Sequence, residues 1–283
     1  MNRTVEMVYW ITEREEMRKR KELGVGVTHD FRFGFSNDPY MGRVRYCNVR
    51  REDDAVTKWL AVNWRPKHHA VWEIVLARMI NYTPSLQELN CSVVWDGGLP
   101  SVSHYLKERR RRGEKVFTSA YTISTCGQSM DKIDYVMGVV DAVRDFENNR
   151  VLPWEAPPEP ITLAGAHSWL TQINGLGSFL SAQVIADLKN TAGHSLQDAP
   201  DWRTWAAPGP GSLRGLEAYF GARVTPSGFA PALAQAWEEV RPRLSPDLHN
   251  LHMQDFQNCM CEFSKYIRVK DGNGHVRNKY AAG

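Results

Sequence analysis

The chain has 283 residues, 42% hydrophobic and 24% charged, with a formal net charge of +3. That is enough apolar material for a sizeable core, in one large domain or two small ones. No apolar run approaches the roughly 18–20 residues of a membrane-spanning helix, and the first turns (Glu6, Glu13, Arg14, Glu15, Glu16) lack the apolar segment of a signal peptide. The expectation is a cytoplasmic protein with no membrane partner. Five cysteines without a Cys-x-x-Cys pair argue against a disulfide framework and against a zinc site.

Helical periodicity dominates the chain. An amphipathic, charge-laced helix is predicted from about Val5 to Glu22, ended by Gly24-Val25-Gly26, then helices over Asp53–Val62 and His69–Ile80, separated by Pro66. Further helices are expected over Val102–Arg112, Asp131–Asn148, Leu163–Gln172, Ser178–Lys189, Leu213–Phe220, Pro231–Val240 and Leu251–Arg268. Only Arg45–Val49 and Val116–Ile123 read as strands, so the fold class is mainly α with few short strands. Four prolines stiffen 151–160. We read 1–283 as a single helical domain, divisible into lobes 1–150 and 161–283 about that segment.

Thr171–Leu188 carries the most specific local pattern, an Ile-x-Gly-x-Gly turn between two helices. Gly175 and Gly177 permit a tight turn, and the backbone N–H groups after Gly177, starting at Ser178, open a helix at its positive end, where a phosphate is favoured. A helix-hairpin-helix gripping a DNA backbone and a plain packing element are both consistent with this stretch. A little over twenty residues on stand Asp198 and Asp201, either turn caps or a catalytic carboxylate. The basic run Arg109–Arg112 reads as a solvated face or a nucleic-acid contact.

The segment Tyr46–Asp54 brings Asn48, Arg50 and Arg51 directly before a helix start, with Arg45 ahead of them. Guanidinium forks there suit phosphate oxygens, whereas Glu52, Asp53 and Asp54 alone would be read as acids serving the helix dipole. A second glycine-rich helix start, Gly209-Pro-Gly-Ser212-Leu-Arg214, fits a pyrophosphate or is an ordinary Pro/Gly loop. Near the C-terminus, Asp255, Asn258, Glu262 and Lys265 fall at three- and four-residue steps. They form a polar stripe opposite Phe256, Met260 and Phe263, either solvated or facing a cleft.

Taken in order, Arg45–Asp54, Ala120-Tyr121-Thr122-Ile123-Ser124, Ile173–Gly177, Gly209–Ser212 and Cys261–Tyr266 resemble the phage DNA-base hypermodification proteins. That group comprises the helical domain of 5-hydroxymethyluracil DNA kinases and the related thymine pyrophosphorylases, or amino acid:DNA transferases. The resemblance implies a helix-hairpin-helix DNA glycosylase-like fold acting on double-stranded DNA with a modified thymine, in the cytoplasm of an infected bacterial host. The sequence departs from the kinases in having no Gly-x-x-x-x-Gly-Lys-Ser/Thr stretch, and so it resembles the transferase branch better.

In that branch an amino acid or amine displaces pyrophosphate from the base, with glycine favoured here. The expected leaving-group and substrate contacts are Arg45, Asn48, Arg50, Arg51, Asp53, Asp54, Tyr121, Ser212 and Arg214. The expected catalytic groups are Asp201, Asp198, Glu262 and Lys265, and the expected DNA contacts are Gly175, Gly177 and Ser178. No resident metal is assigned; magnesium, if used, would sit at Asp53 and Asp54. The rival readings are a DNA glycosylase, a kinase-associated protein and a non-catalytic DNA-binding module.

Overall fold

The computed structural model describes residues 2–24, 35–42, 44–63, 70–118, 125, 129–149 and 161–272, without the side chains of 90–97. The chain divides into two compact units, one made of Met1–Asp54 with Arg203–Gly283 and the other of Ala55–Trp202. These boundaries differ from the expected lobes 1–150 and 161–283, because the first 54 residues pack with the C-terminal third. The Pro-rich segment 151–160 lies outside the described residues.

The first unit is built on α1 (Arg3–Glu22), α8 (Pro210–Phe220), α9 (Phe229–Val240) and α10 (Met253–Lys270). Helix α1 starts where the Asn2 side chain accepts the Thr4 N–H, and it ends on Lys19, Arg20 and Lys21, cations suited to the negative end of the helix dipole. Its apolar face, Met7, Trp10, Ile11 and Met17, joins Val49, Leu216, Phe229, Trp237, Phe256, Met260 and Phe263 in one core.

Two glycines set the approach of α8 to α10. A Cβ on Gly215 would stand 2.1 Å from the Met260 carbonyl oxygen, and one on Gly211 would stand 2.2 Å from Cys261 Sγ. The sequence leaves this glycine run open between a pyrophosphate site and an ordinary Pro/Gly loop; in the fold, these two glycines let the helices touch.

The second unit contains α2 (Ala55–Asn63), α3 (Val71–Ile80), α4 (Thr83–Arg111), α5 (Lys132–Asn148), α6 (Leu163–Leu170) and α7 (Ser178–Leu188). Helix α4 starts well before the expected Val102, continuing through Pro100, which local pattern reads as a breaker. Buried Arg78 on α3 holds buried Asp187 on α7, and Thr57 on α2 bonds to both, so three helices share one satisfied ion pair. Val136, Val140, Leu163, Leu170 and Val184 belong to its buried interior.

Neither expected strand forms among the described residues. Arg45–Val49 is extended but pairs with side chains rather than with a second strand, and Val116–Thr118 is loop. The remainder of the Val116–Ile123 prediction lies outside the described residues. Among the described residues no helix is long and apolar enough to cross a membrane.

Candidate functional site

Segment 45–54 lies on the polar faces of α1 and α10. Arg14, buried on α1, donates to the carbonyls of Cys47 (2.9 Å) and Tyr46 (3.2 Å) and to Asn48 Oδ1. From α10, Asn258 Nδ2 donates to the Asn48 carbonyl (3.0 Å), and Asp255 Oδ1 accepts the Arg51 N–H (2.7 Å). Asn48 Nδ2 donates to the Asp53 carbonyl (2.6 Å), closing the turn Arg51–Asp53. Asn48 is thus a latch within the fold, with both ends of its amide engaged.

The arginines of this segment have separate environments. Arg51 is buried, at 5% exposure, while Arg45 is exposed. Arg50 uses one terminal nitrogen for the Asp247 carbonyl (2.6 Å) and Asn250 Oδ1 (2.9 Å). Of the three, Arg45 is the most exposed to solvent.

At the other end of the segment, three α10-linked groups meet. Lys265 Nζ donates to Glu262 Oε1 (2.9 Å) and Oε2 (2.8 Å), and the Cys47 N–H donates to Oε2 (3.1 Å). The Lys265 ammonium also stands 5.7 Å from the centre of the Tyr46 ring, within cation–π range. Burial disfavours this ammonium, but the charge and hydrogen bonds of Glu262 outweigh burial, so the lysine pKa lies above its ordinary value. Lys265 is therefore a fixed cation at neutral pH.

Arg214 on α8 and Lys265 both act electrostatically on Cys261, whose thiol is pushed up to about 11 by burial and then by Glu262. That thiol stays protonated at neutral pH and is no nucleophile. Arg214 is exposed. Ser212 is instead fully buried, bonded to the Gly209 carbonyl (3.0 Å) and N–H (3.1 Å) and to Gln257 Nε2 (3.3 Å). In the fold it caps the start of α8.

Of the two carboxylates expected near magnesium, Asp53 is already engaged in an ion pair. Asp53 Oδ2 pairs with Arg18 Nε at 3.2 Å, and among the described residues no group of three His, Cys, Asp or Glu side chains could hold a metal.

The second unit holds the remaining expected residues. Helices α6 and α7 are joined by a turn in which the Leu176 N–H donates to the Ile173 carbonyl (3.0 Å) and Gly175 has φ +92°. A Cβ on Gly175 would stand 2.4 Å from Val139 Cγ2, so this glycine lets the turn pack on α5; Gly177 has open space beside it. No side chain caps α7 at Gly177, and Ser178 is tied to His167 through its carbonyl (3.0 Å) and Oγ (3.3 Å).

Asp201 accepts the Leu163 N–H (2.7 Å) and the Ala164 N–H (3.0 Å), while Thr162 takes that of Gly165 (2.9 Å). The three first-turn donors of α6 are thereby satisfied, which is the capping reading of Asp201. Asp198 is exposed at the end of the turn Ser195–Asp198. Tyr121 lies outside the described residues. The basic run is neutralised: Arg109 and Arg112 pair with Glu88 and Glu114, Arg110 with Asp131 and Arg111 with Glu108.

Sequence reasoning missed Arg14, which sits in the charge-dense half of α1, Glu13–Glu22, so nothing local distinguishes the one buried arginine of that helix. It also missed His252, which caps α10 opposite Asp255: the His252 N–H donates to Asp255 Oδ2 (3.2 Å), and the Asp255 N–H donates to His252 Nδ1 (3.4 Å). A histidine three residues before an aspartate at a helix start was the available signal.

A family model described as "5-hmdU DNA kinase, helical domain" matches residues 2–275. No curated protein and no solved structure matches the chain.

Proposed function

The chain belongs to the 5-hmdU DNA kinase helical-domain family, and from that membership we propose that it is a thymidine-hypermodification enzyme of phage DNA. In this reading it transfers an amino acid or amine, glycine favoured, to the methylene of 5-pyrophosphoryloxymethyl-uracil and releases pyrophosphate. The observation that carries it is Lys265, held cationic by Glu262, with exposed Arg214 acting on the same thiol. Such a cluster suits a leaving group on which negative charge grows.

The amine nitrogen forms a bond to the methylene carbon as the bond from that carbon to the pyrophosphate oxygen breaks, and the oxygen keeps the electron pair. The amine then loses a proton to a base or to water. Lys265, Arg214 and Arg45 would meet the departing charge, and Glu262 positions Lys265. Asp198, exposed, and Asp201, in its capping role, belong to the second unit; their proposed part as proton acceptors comes from the resemblance alone. The reacting methylene sits on a base that must leave the stack to be reached from two sides. The uncapped start of α7 at Gly177 supports a backbone contact with the duplex.

The family description itself favours a second reading, phosphorylation of the hydroxymethyl group. Against it stands the lack of any Gly-x-x-x-x-Gly-Lys-Ser/Thr stretch in these 283 residues.

Mass spectrometry of nucleosides, after incubation with pyrophosphorylated DNA and a panel of amines, separates the readings. A thymidine adduct formed in step with pyrophosphate supports the transferase. ATP-dependent phosphorylation of hydroxymethylated DNA would replace it with the kinase, and release of a free base without amine would replace it with a glycosylase.

A further inference from the structure

The exposed apolar side chains of the second unit gather at its hairpin. Among the described residues of that unit, the exposed large hydrophobics are Val62, Met130 and Phe179. Phe179, 47% exposed, stands in the first turn of α7, two residues past Gly177. Met130 lines a cleft of about 210 Å³ whose wall also includes Asn174 and Gly175 of the turn. A single exposed apolar side chain needs no explanation, whereas two of them flanking one turn form a patch.

The Phe179 ring is carried on a rigid mount. His167 Nε2 donates to the Ser178 carbonyl (3.0 Å), which ties α6 to the first turn of α7, and the turn at Gly175 packs against Val139. No side chain caps α7, and the N–H groups of Ser178 and Leu180, on either side of Phe179 in the chain, have no hydrogen-bond partner among the described residues. From Leu163 to Ala186 the sequence contains no Asp, Glu, Lys or Arg. An anion at this helix start meets backbone donors and no carboxylate of the hairpin itself. With no ammonium or guanidinium on the hairpin either, affinity there has to come largely from the apolar contact.

Backbone donors beside an exposed ring complement the two parts of a nucleotide, its phosphate and the flat face of its base. An intact duplex hides base faces in the stack, so the ring reaches one only where a base step opens; an apolar side chain inserted there kinks the duplex and covers the exposed face.

We propose that Phe179 is a stacking wedge, whose ring enters the base stack and takes the place of a base that has left it, on a strand whose phosphate the Ser178 and Leu180 N–H groups hold. The proposal rests on the hairpin's backbone contact in the reading above and adds what the hairpin does to the duplex. Phe179 is then a positioning residue, which keeps the stack open.

The test uses the full chain and duplex DNA carrying a central 5-hydroxymethyluracil with 2-aminopurine as its neighbour, whose fluorescence rises when the stack opens. Wild type is expected to bind and raise the fluorescence. Phe179→Ala should weaken binding at least about fivefold, the lower end for one base–aromatic stack, and abolish the rise. Its salt slope should not change, because no charge is removed, and its melting temperature should not fall. Phe179→Tyr, which keeps the ring, should retain both binding and the rise. Binding by wild type without a rise, no binding by wild type, full binding and rise in Phe179→Ala, or loss of both in Phe179→Tyr overturns the wedge. So does a wild type that is dimeric in solution while Phe179→Ala is monomeric, which would make the patch an interface between copies. Turnover of pyrophosphorylated DNA is measured in parallel. Turnover and base opening that both survive in Phe179→Ala overturn the wedge and leave the transferase standing. Base opening that Phe179→Ala abolishes, in a wild type without turnover, overturns the transferase and leaves the wedge.

Discussion

Glu262 receives both Lys265 and the Cys47 N–H, so a single carboxylate on α10 fixes a cation and the extended segment 45–49 together. In the proposed reading Glu262 is a positioning residue and Lys265 the group that meets the substrate. The geometry also separates two effects that a substitution at Glu262 would combine.

With glutamine at position 262 the amide still accepts the Cys47 N–H, but the ammonium loses its counter-charge while burial continues to oppose it. Glu262→Gln is expected to lower turnover on the order of 10²-fold, the scale of losing one preorganised charge contact. The folded pKa of Lys265 is raised, so the pair's stabilisation is fully present below the unfolded value of about 10.4 and is lost as pH climbs through the folded pKa. The variant should therefore show the alkaline limb of its pH–rate profile at lower pH than wild type. An unmoved limb with full turnover would take Lys265 out of the site.

The two hairpin glycines should fail differently. Gly177 has open space at its Cβ position, so Gly177→Asp should fold normally, bind DNA more weakly and reduce the salt slope of binding by about 1. Gly175→Ala meets Val139 at a φ of +92° and should cost about 1–3 kcal/mol of stability. Filter binding across a salt series, with melting curves, reads both. Unchanged affinity in Gly177→Asp removes the hairpin from the DNA interface.

Asp201→Asn tests cap against catalyst. Asparagine retains one acceptor for the two N–H groups of α6, so a cap alone predicts a loss of about 1 kcal/mol with turnover intact at low temperature. A fall in turnover with unchanged stability would instead make Asp201 the proton acceptor.

Glu73 on α3 is fully buried, and among the described residues neither of its carboxyl oxygens has a hydrogen-bond partner. Burial, and then the charge of Glu147, pushes its pKa up to about 8. Because the folded state holds this proton more tightly than the unfolded chain, stability should fall as pH rises from about 4.3 toward 8, at up to roughly 1.4 kcal/mol per unit. Glu73→Gln should raise the melting temperature at pH 8 and flatten its pH dependence. A variant no more stable than wild type at pH 8 would mean that the carboxyl is ionised and solvated.

Helix existence was legible because the signal is local. The 3.6-residue apolar spacing in α1, α5 and α10 reads directly, and so do the turn before α7 and the shared face of Glu262 and Lys265. Helix α4 was under-read for the same reason, since Pro100 is a breaker to local pattern and is tolerated in the folded helix. The short strand was over-read: Arg45–Val49 has strand composition, but its hydrogen bonds go to Arg14 on α1 and to side chains of α10.

The sequence by itself determined the mainly helical class, the order of the motifs and the family to which they belong, because each depends on residues near one another in the chain. Tertiary structure alone decided which of the polar residues are committed to the fold. Asn48, Ser212 and Asp201 became a latch and two caps, while Lys265 is tied to Glu262 and Arg50 to Asp247 and Asn250. The physical reason is separation: the carboxylate that fixes Cys47 is 215 residues away, and no local pattern specifies which distant partner a buried donor will find.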